Sequence, residues 1–408
     1  MENKSSGVRW LFLALIFLMN TTGFCSINCI PPLYLEIAEQ VPLTKAQLGS
    51  VMGVVLLASL LFAPIGGGIS DKIGSRLAAG AGILLAGIAG LLRAYMESAG
   101  GLIACSFFLG AGLAFFAPNM PKVVGIWFPR KELALANGIC TAGLGIGGAI
   151  AMAISASILS PTFGGWQGAV QAIGITVMVM GVIWLCIYRD RKTDGAPEKK
   201  KQSMGKNFKK VLKVKDLRLI VLYRSLNLIG FMALITFLPS ALQERGIERA
   251  GQLVSILMTI NVIFNVIGPG ISDRVGLRKP FLLVSTVILG LCMLTFSSLA
   301  GVPLIIALVI AGITMGTLAP IVFILPVEFD EIGPGLAATA VGIMLMVGNT
   351  CGFLGPIITG KLIDLTGTNF SGFVFMAVAC ISAAVFVFPL TETGRKKKKE
   401  KQPAVAAR

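Results

Sequence analysis

Gly67-Gly68-Ile69-Ser70-Asp71-Lys72-Ile73-Gly74-Ser75-Arg76 lies between two long apolar stretches. Its last eight residues return 202 positions later as Ile271-Ser272-Asp273-Arg274-Val275-Gly276-Leu277-Arg278, again between apolar stretches. The offset is about half of the 408-residue chain. A second half that repeats the first, in a chain this apolar, reads as two pseudo-symmetric domains with a path between them.

Working outward, hydrophobic residues make up 55% of the chain and charged residues only 13%. A soluble domain carries about a quarter charged residues. The charge is also clustered, which leaves stretches that reach the roughly 20 residues needed to cross a bilayer core. Twelve spans follow: 9–36, 46–69, 77–97, 101–126, 134–160 and 166–188, then 217–243, 250–271, 280–299, 303–327, 335–363 and 370–390. Backbone in hydrocarbon must satisfy itself, so the spans are helices. The expected fold is an all-α membrane protein of twelve transmembrane helices in two pseudo-symmetric six-helix bundles. Residues 1–188 form the first bundle, 189–215 a basic linker, 216–390 the second bundle and 391–408 a basic tail. No small-residue cleavage site ends the first apolar core, so span 1 is read as retained.

Of the 35 Lys and Arg, 28 fall in the N-terminus, the even-numbered loops and the tail. The positive-inside rule then makes both termini cytoplasmic, in a cell (inner) membrane. The net charge of +16 reads as topology and attraction to anionic lipid, not as a nucleic-acid surface. The eight Cys lie inside spans without C-x-x-C spacing, and there is no His. No metal, cofactor or catalytic set is expected.

Twelve spans, the 6+6 repeat, a basic central loop and Gly67 to Arg76 as G-x-x-x-D-[RK]-x-G-x-[RK] resemble the major facilitator superfamily. The second copy has Pro269 where the leading Gly belongs. Elementary physics gives the motif a mechanical sense. Gly67 lets helices approach, Gly74 permits a tight turn, and Asp71 can face the positive end of a neighbouring helix. The resemblance implies that Asp71 and Arg76, with Asp273 and Arg278 as counterparts, help close the inner side, Asp71 by capping a helix of the opposite half. Asn119-Met120-Pro121-Lys122-Val123-Val124-Gly125-Ile126-Trp127-Phe128-Pro129, followed by the Gly-rich span 5, is similar to a segment of nitrate/nitrite and cyanate-type porters. Leu91-Leu92-Arg93 also resembles the cyanate-type group. Those porters place an Arg deep in span 1, 2 or 8, and this sequence has none there.

Intramembrane charge is expensive and therefore informative. Arg93 has Glu97 four residues on, which predicts an ion pair at the membrane edge. Lys122 lies near the inner end of span 4, where snorkelling and function compete. Arg224 lies about 9 Å beyond Arg218 along its helix, one turn before Asn227. A substrate or gate role, snorkelling and a structural pair are its open readings. No Asp or Glu occupies the centre of a span. The entirely basic set suits an anion. The expected function is a secondary carrier moving a small, organic or inorganic anion by alternating access. Arg224, Asn227, Asn20, Lys122 and Asn119 are the candidate substrate-binding residues. The partners are that solute and the bilayer, with no nucleic acid and a monomeric chain. Two rivals remain: an exporter of lipophilic compounds, suggested by 16 Met and 24 Phe, and a non-transporting membrane receptor.

Overall fold

The computed structural model describes residues 3–129, 131–190, 208, 210–329 and 331–394. The expected linker features at 195–201 and the basic run from 395 onward lie outside those residues. Helices dominate, and no strand occurs among the described residues.

Among the described residues, eleven helices are long and apolar enough to cross a membrane, and the helix of span 9, Lys279–Thr295, is shorter at 17 residues. Span 1 is two helices, Asn3–Asn28 and Ile30–Gln40, because Pro31 and Pro32 lack the N–H groups that would carry the ladder through. Span 2 (Lys45–Ile73) starts on a capping box made by Thr44 and Gln47. It ends at Gly74, whose φ of 88° makes the turn into span 3, Ser75–Leu92. Span 4 is Ala99–Phe116 with Asn119–Trp127, span 5 starts as Leu133–Ile154, and span 6 is Trp166–Ile187. The second half repeats the order with Lys215–Glu244, Ala250–Val275, Lys279–Thr295, Gly301–Glu328, Gly333–Thr366 and Asn369–Ala383.

Small residues set the packing. A methyl group on Gly143 would come within 2.7 Å of the Phe17 carbonyl, so span 5 rides directly on the backbone of span 1. In the second half, Gly355 of span 11 meets the Ile229 carbonyl of span 7 in the same way, at 2.7 Å. Span 2 packs on span 11, and span 5 on span 8, which joins the two bundles.

That junction is one-sided. The apolar core that runs through both halves includes Leu33, Leu48, Met52 and Met152 of the first half with Leu242, Val254 and Met258 of the second. All lie toward the face opposite the termini. Nearer the termini, the first half keeps its own core of Phe12, Ile16, Ile83, Val124 and Trp184. Among the described residues, the hydrogen bonds and the ion pair between the bundles all lie at the face opposite the termini.

Candidate functional site

Arg224 and Asn227 project from one face of span 7 into a cavity of about 250 Å³. Asn261 and Asn265 of span 8 form a second polar wall, and Leu228, Phe231, Met315 and Val322 give much of the apolar remainder. Among the described residues, no acidic one lines it. The Arg224 guanidinium lies 4.5 Å from the centroid of the Phe323 ring. Its stem crosses span 11 at Gly348, where a methyl group would come within 3.0 Å of Nε.

Arg224 makes no ion pair among the described residues, and its Nε is buried without a hydrogen-bond acceptor. A cation–π contact offsets only part of the desolvation of a guanidinium. The Asn side chains around it are partly committed. Asn227 donates to the Tyr223 carbonyl at 3.0 Å and accepts from the Cys380 thiol at 3.4 Å. Asn265 donates to the Asn261 carbonyl at 3.0 Å. The arrangement offers a positive, planar donor in an apolar pocket, with amide dipoles on two sides.

The other expected binding residues lie elsewhere. Asn20 is buried in the first half and donates to the Cys140 carbonyl at 3.0 Å, which ties span 1 to span 5. Asn119 and Lys122 join the loop motif. Asn119 accepts from the Ser70 hydroxyl and donates to the Phe115 carbonyl at 2.8 Å. Lys122 pairs with Asp71 at 2.9 Å and reaches the Ser70 carbonyl at 3.2 Å. The structure thus divides the proposed five into a pair beside the cavity and three residues that bind their own half together.

The loop motif is built from neighbouring spans of one half. Arg76 donates through Nε to the Leu185 carbonyl at 2.8 Å. The Asp190 carboxylate, just past span 6, accepts from the Ser75 N–H at 3.0 Å and from the Arg76 N–H at 3.2 Å. In the second half, Arg278 pairs with Asp273 at 2.7 Å and Glu328 at 2.9 Å. Glu392 accepts from the Arg278 and Lys279 N–H groups at 2.7 and 3.0 Å. Asp190 and Glu392 are themselves 202 residues apart, so extending the repeat to the ends of spans 6 and 12 finds them. No hydrogen bond or ion pair joins Asp71, Arg76, Asp273 or Arg278 to the opposite half among the described residues. Gly74 holds its expected turn, but the tight approach to span 4 is at Gly66, where a methyl group would come within 2.8 Å of the Phe115 Cα. A methyl group on Gly67 would find 3.9 Å of room at Pro118.

The expected Arg93–Glu97 ion pair is absent. The helix of span 3 stops at Leu92 and a 3₁₀ turn, Arg93–Tyr95, follows, so Glu97 is not one helical turn away. Arg93 is 1% exposed and turns inward, donating to the Ser26 carbonyl and, at 3.1 Å, to its hydroxyl.

The Major Facilitator Superfamily profile matches residues 12–355 and 249–407. A probable nitrate transporter, NarT, of Staphylococcus carnosus (strain TM300) is 28% identical over 410 residues, covering 96% of this chain and 98% of that one. A hexuronate transporter of Bacillus subtilis (strain 168) is 24% identical over 409 residues, covering 93% and 94%. Among solved structures, a bacterial homologue of the human lysosomal transporter Spinster, in an inward-facing and occupied conformation, superposes with a TM-score of 0.80. It shares 17% identity and covers 94% of this chain and 96% of that one. With twelve spans in two repeated bundles and a profile that runs through both, the chain belongs to the major facilitator superfamily.

Proposed function

We propose that this transporter-family protein is a secondary carrier of a small anion, held at the Arg224 cavity and exposed to each side in turn. The observation that carries the reading is a guanidinium without a carboxylate, set in a cavity without an acidic residue. A bound anion supplies the missing partner, and charge-assisted hydrogen bonds strengthen as water leaves. NarT and the hexuronate transporter are named for anionic solutes, in keeping with this chemistry. Asn227, Asn261 and Asn265 orient the ligand. Asn20, Asn119 and Lys122 hold the helices of the first half together.

The face bearing the termini is cytoplasmic in this reading, and the carrier works as a monomer in the inner membrane. Residues 1–188 and 216–390 rock against each other, with 189–215 and 391–408 on the cytoplasmic side. Asp71, Arg76, Asp273 and Arg278, with the Gly67 and Gly74 turn, form the inner gate. In this reading the gate is open when each copy holds its charges within its own half.

The test is thermal stabilisation of purified protein by nitrate, mono- and dicarboxylates, sugars, amino acids and lipophilic cations. A ligand that binds the folded state raises its melting temperature by mass action. Stabilisation by an anion in wild type, lost in Arg224→Ala, is the expected result. Stabilisation by lipophilic or neutral compounds alone, unchanged in Arg224→Ala, overturns the reading. It would favour the exporter alternative, to which the apolar walls of the cavity are suited.

A further inference from the structure

Span 2 opens with a helix whose first turn cannot satisfy itself. Its Thr44 cap takes the Gln47 N–H, at 3.2 Å. The Lys45 and Ala46 N–H groups still need acceptors, as first-turn donors always do. They find them in the other half of the molecule. Asp364, in the last turn of span 11, accepts from Lys45 through one carboxylate oxygen and from Ala46 through the other, each at 2.9 Å.

The Lys45 side chain makes a second crossing. It is 11% exposed, and its ammonium pairs with Glu244 at the end of span 7. It also lies 4.4 Å from the centroid of the Tyr34 ring in span 1 and 3.5 Å from the Ser240 hydroxyl. Glu244 is held in turn by Asn369 of span 12, at 2.6 Å. One residue therefore ties span 2 to spans 7 and 11 of the opposite bundle. Beside it, Gln243 donates to the Pro32 carbonyl at 2.8 Å, a further bond between the halves.

We infer that Lys45, Glu244 and Asp364 are the lock of the outer gate, closed here and broken each time the carrier faces outward. The lock has the properties a reversible catch needs. Asp364 is exposed and Glu244 is 33% exposed, so both carboxylates regain water as the halves part. The freed N–H groups sit at the end of span 2 and hydrate equally well. The pair is closed enough to hold, and wet enough to release. Span 2 runs from Lys45 to Ile73, so the lock lies on the face opposite the loop motifs, whose charges are satisfied within their own halves. The inference concerns conformation alone, so it stands or falls independently of which solute is carried.

Spin labels at Gly100→Cys and Leu365→Cys, on the outer ends of spans 4 and 11, report the separation of the halves in purified protein. A background with Cys105, Cys186 and Cys351 replaced by Ser leaves only buried native thiols. Wild type is expected to show mainly one short distance. Asp364→Asn loses the charge from two hydrogen bonds and should raise the longer-distance population by about tenfold. Lys45→Glu should do the same, and Lys45→Glu with Glu244→Lys should restore the short distance. An unchanged distance distribution in both single variants overturns the inference. So does failure of the exchanged pair to restore the short distance when that double variant is folded by its melting profile.

Discussion

Replacing Arg224 tests the site in two directions at once. In wild type the guanidinium sits over Phe323 with a buried, unpartnered Nε and no carboxylate nearby. Removing one side of a buried, charge-assisted pair costs about 2–4 kcal/mol of binding. Arg224→Ala should therefore weaken anion binding by roughly 30- to 1000-fold. Arg224→Lys keeps the charge but loses the planar fork, and should fall between, at about 5- to 30-fold. The stability of the empty protein should move the other way. Arg224→Met fills similar space without an isolated cation to desolvate, and should stabilise the ligand-free protein by about 1–2 kcal/mol. Isothermal titration with nitrate and monocarboxylates measures the first effect, and melting of the ligand-free variants the second. An Arg224→Met protein that melts lower than wild type and binds anions equally well would refute the reasoning: the guanidinium would then be a structural element satisfied in its place.

Three further outcomes follow from the geometry. Asp190→Ala and Glu392→Ala each remove an acceptor from a helix start, and each should cost about 1 kcal/mol, visible as a small, matched fall in melting temperature; unequal effects of several-fold would show that the two copies are not equivalent. Gly355→Ala drives a methyl group against the Ile229 carbonyl and should leave little folded protein in detergent, whereas Gly342→Ala has open space and should be neutral or stabilising by up to about 1 kcal/mol. Arg93→Leu should lower melting by removing the donors to Ser26 and leave anion affinity within about twofold, whereas Glu97→Gln should change neither; loss of affinity in Arg93→Leu, measured by the same titration, would move Arg93 into the binding machinery.

The spans and the repeat were legible because length and hydropathy alone decide what crosses a bilayer, and because a turn such as Gly74 constrains sequence locally. Which way a side chain faces was harder. Lipid and a neighbouring helix are equally apolar, so an apolar span carries little sign of its buried face. Arg224 and Asn227 stand out in the sequence because each is costly in hydrocarbon, and both line the cavity. Asn261 and Asn265 carry the same signal, two amides one turn apart in span 8, and belong with them. Lys122 and Asn119 lie away from that cavity, bonded to Ser70 and Asp71 of span 2, a direction that depth in the span does not mark. Arg93 was misread because its helix ends one residue before it, a boundary that hydropathy does not mark. Gly66 and Gly67 differ only by the 100° between successive helical residues, which decides which of them touches span 4. The contacts at Lys45 needed the fold itself, because Asp364 lies 319 residues away.

Ion pairs are distributed unevenly over the molecule. Among the described residues, Arg9–Glu132, Lys122–Asp71 and the two pairs of Arg278 stay within a half, and Lys45–Glu244 alone bridges the halves. Added salt screens partly exposed charges, with a Debye length of about 10 Å at 0.1 M shrinking to about 3 Å at 1 M. Screening inside a half acts on Arg9 and on the two loop motifs. Screening at Lys45 and Glu244 acts on the contact between the bundles. With that pair as the outer lock, concentrated salt loosens the face opposite the termini, and dilute buffer tightens it.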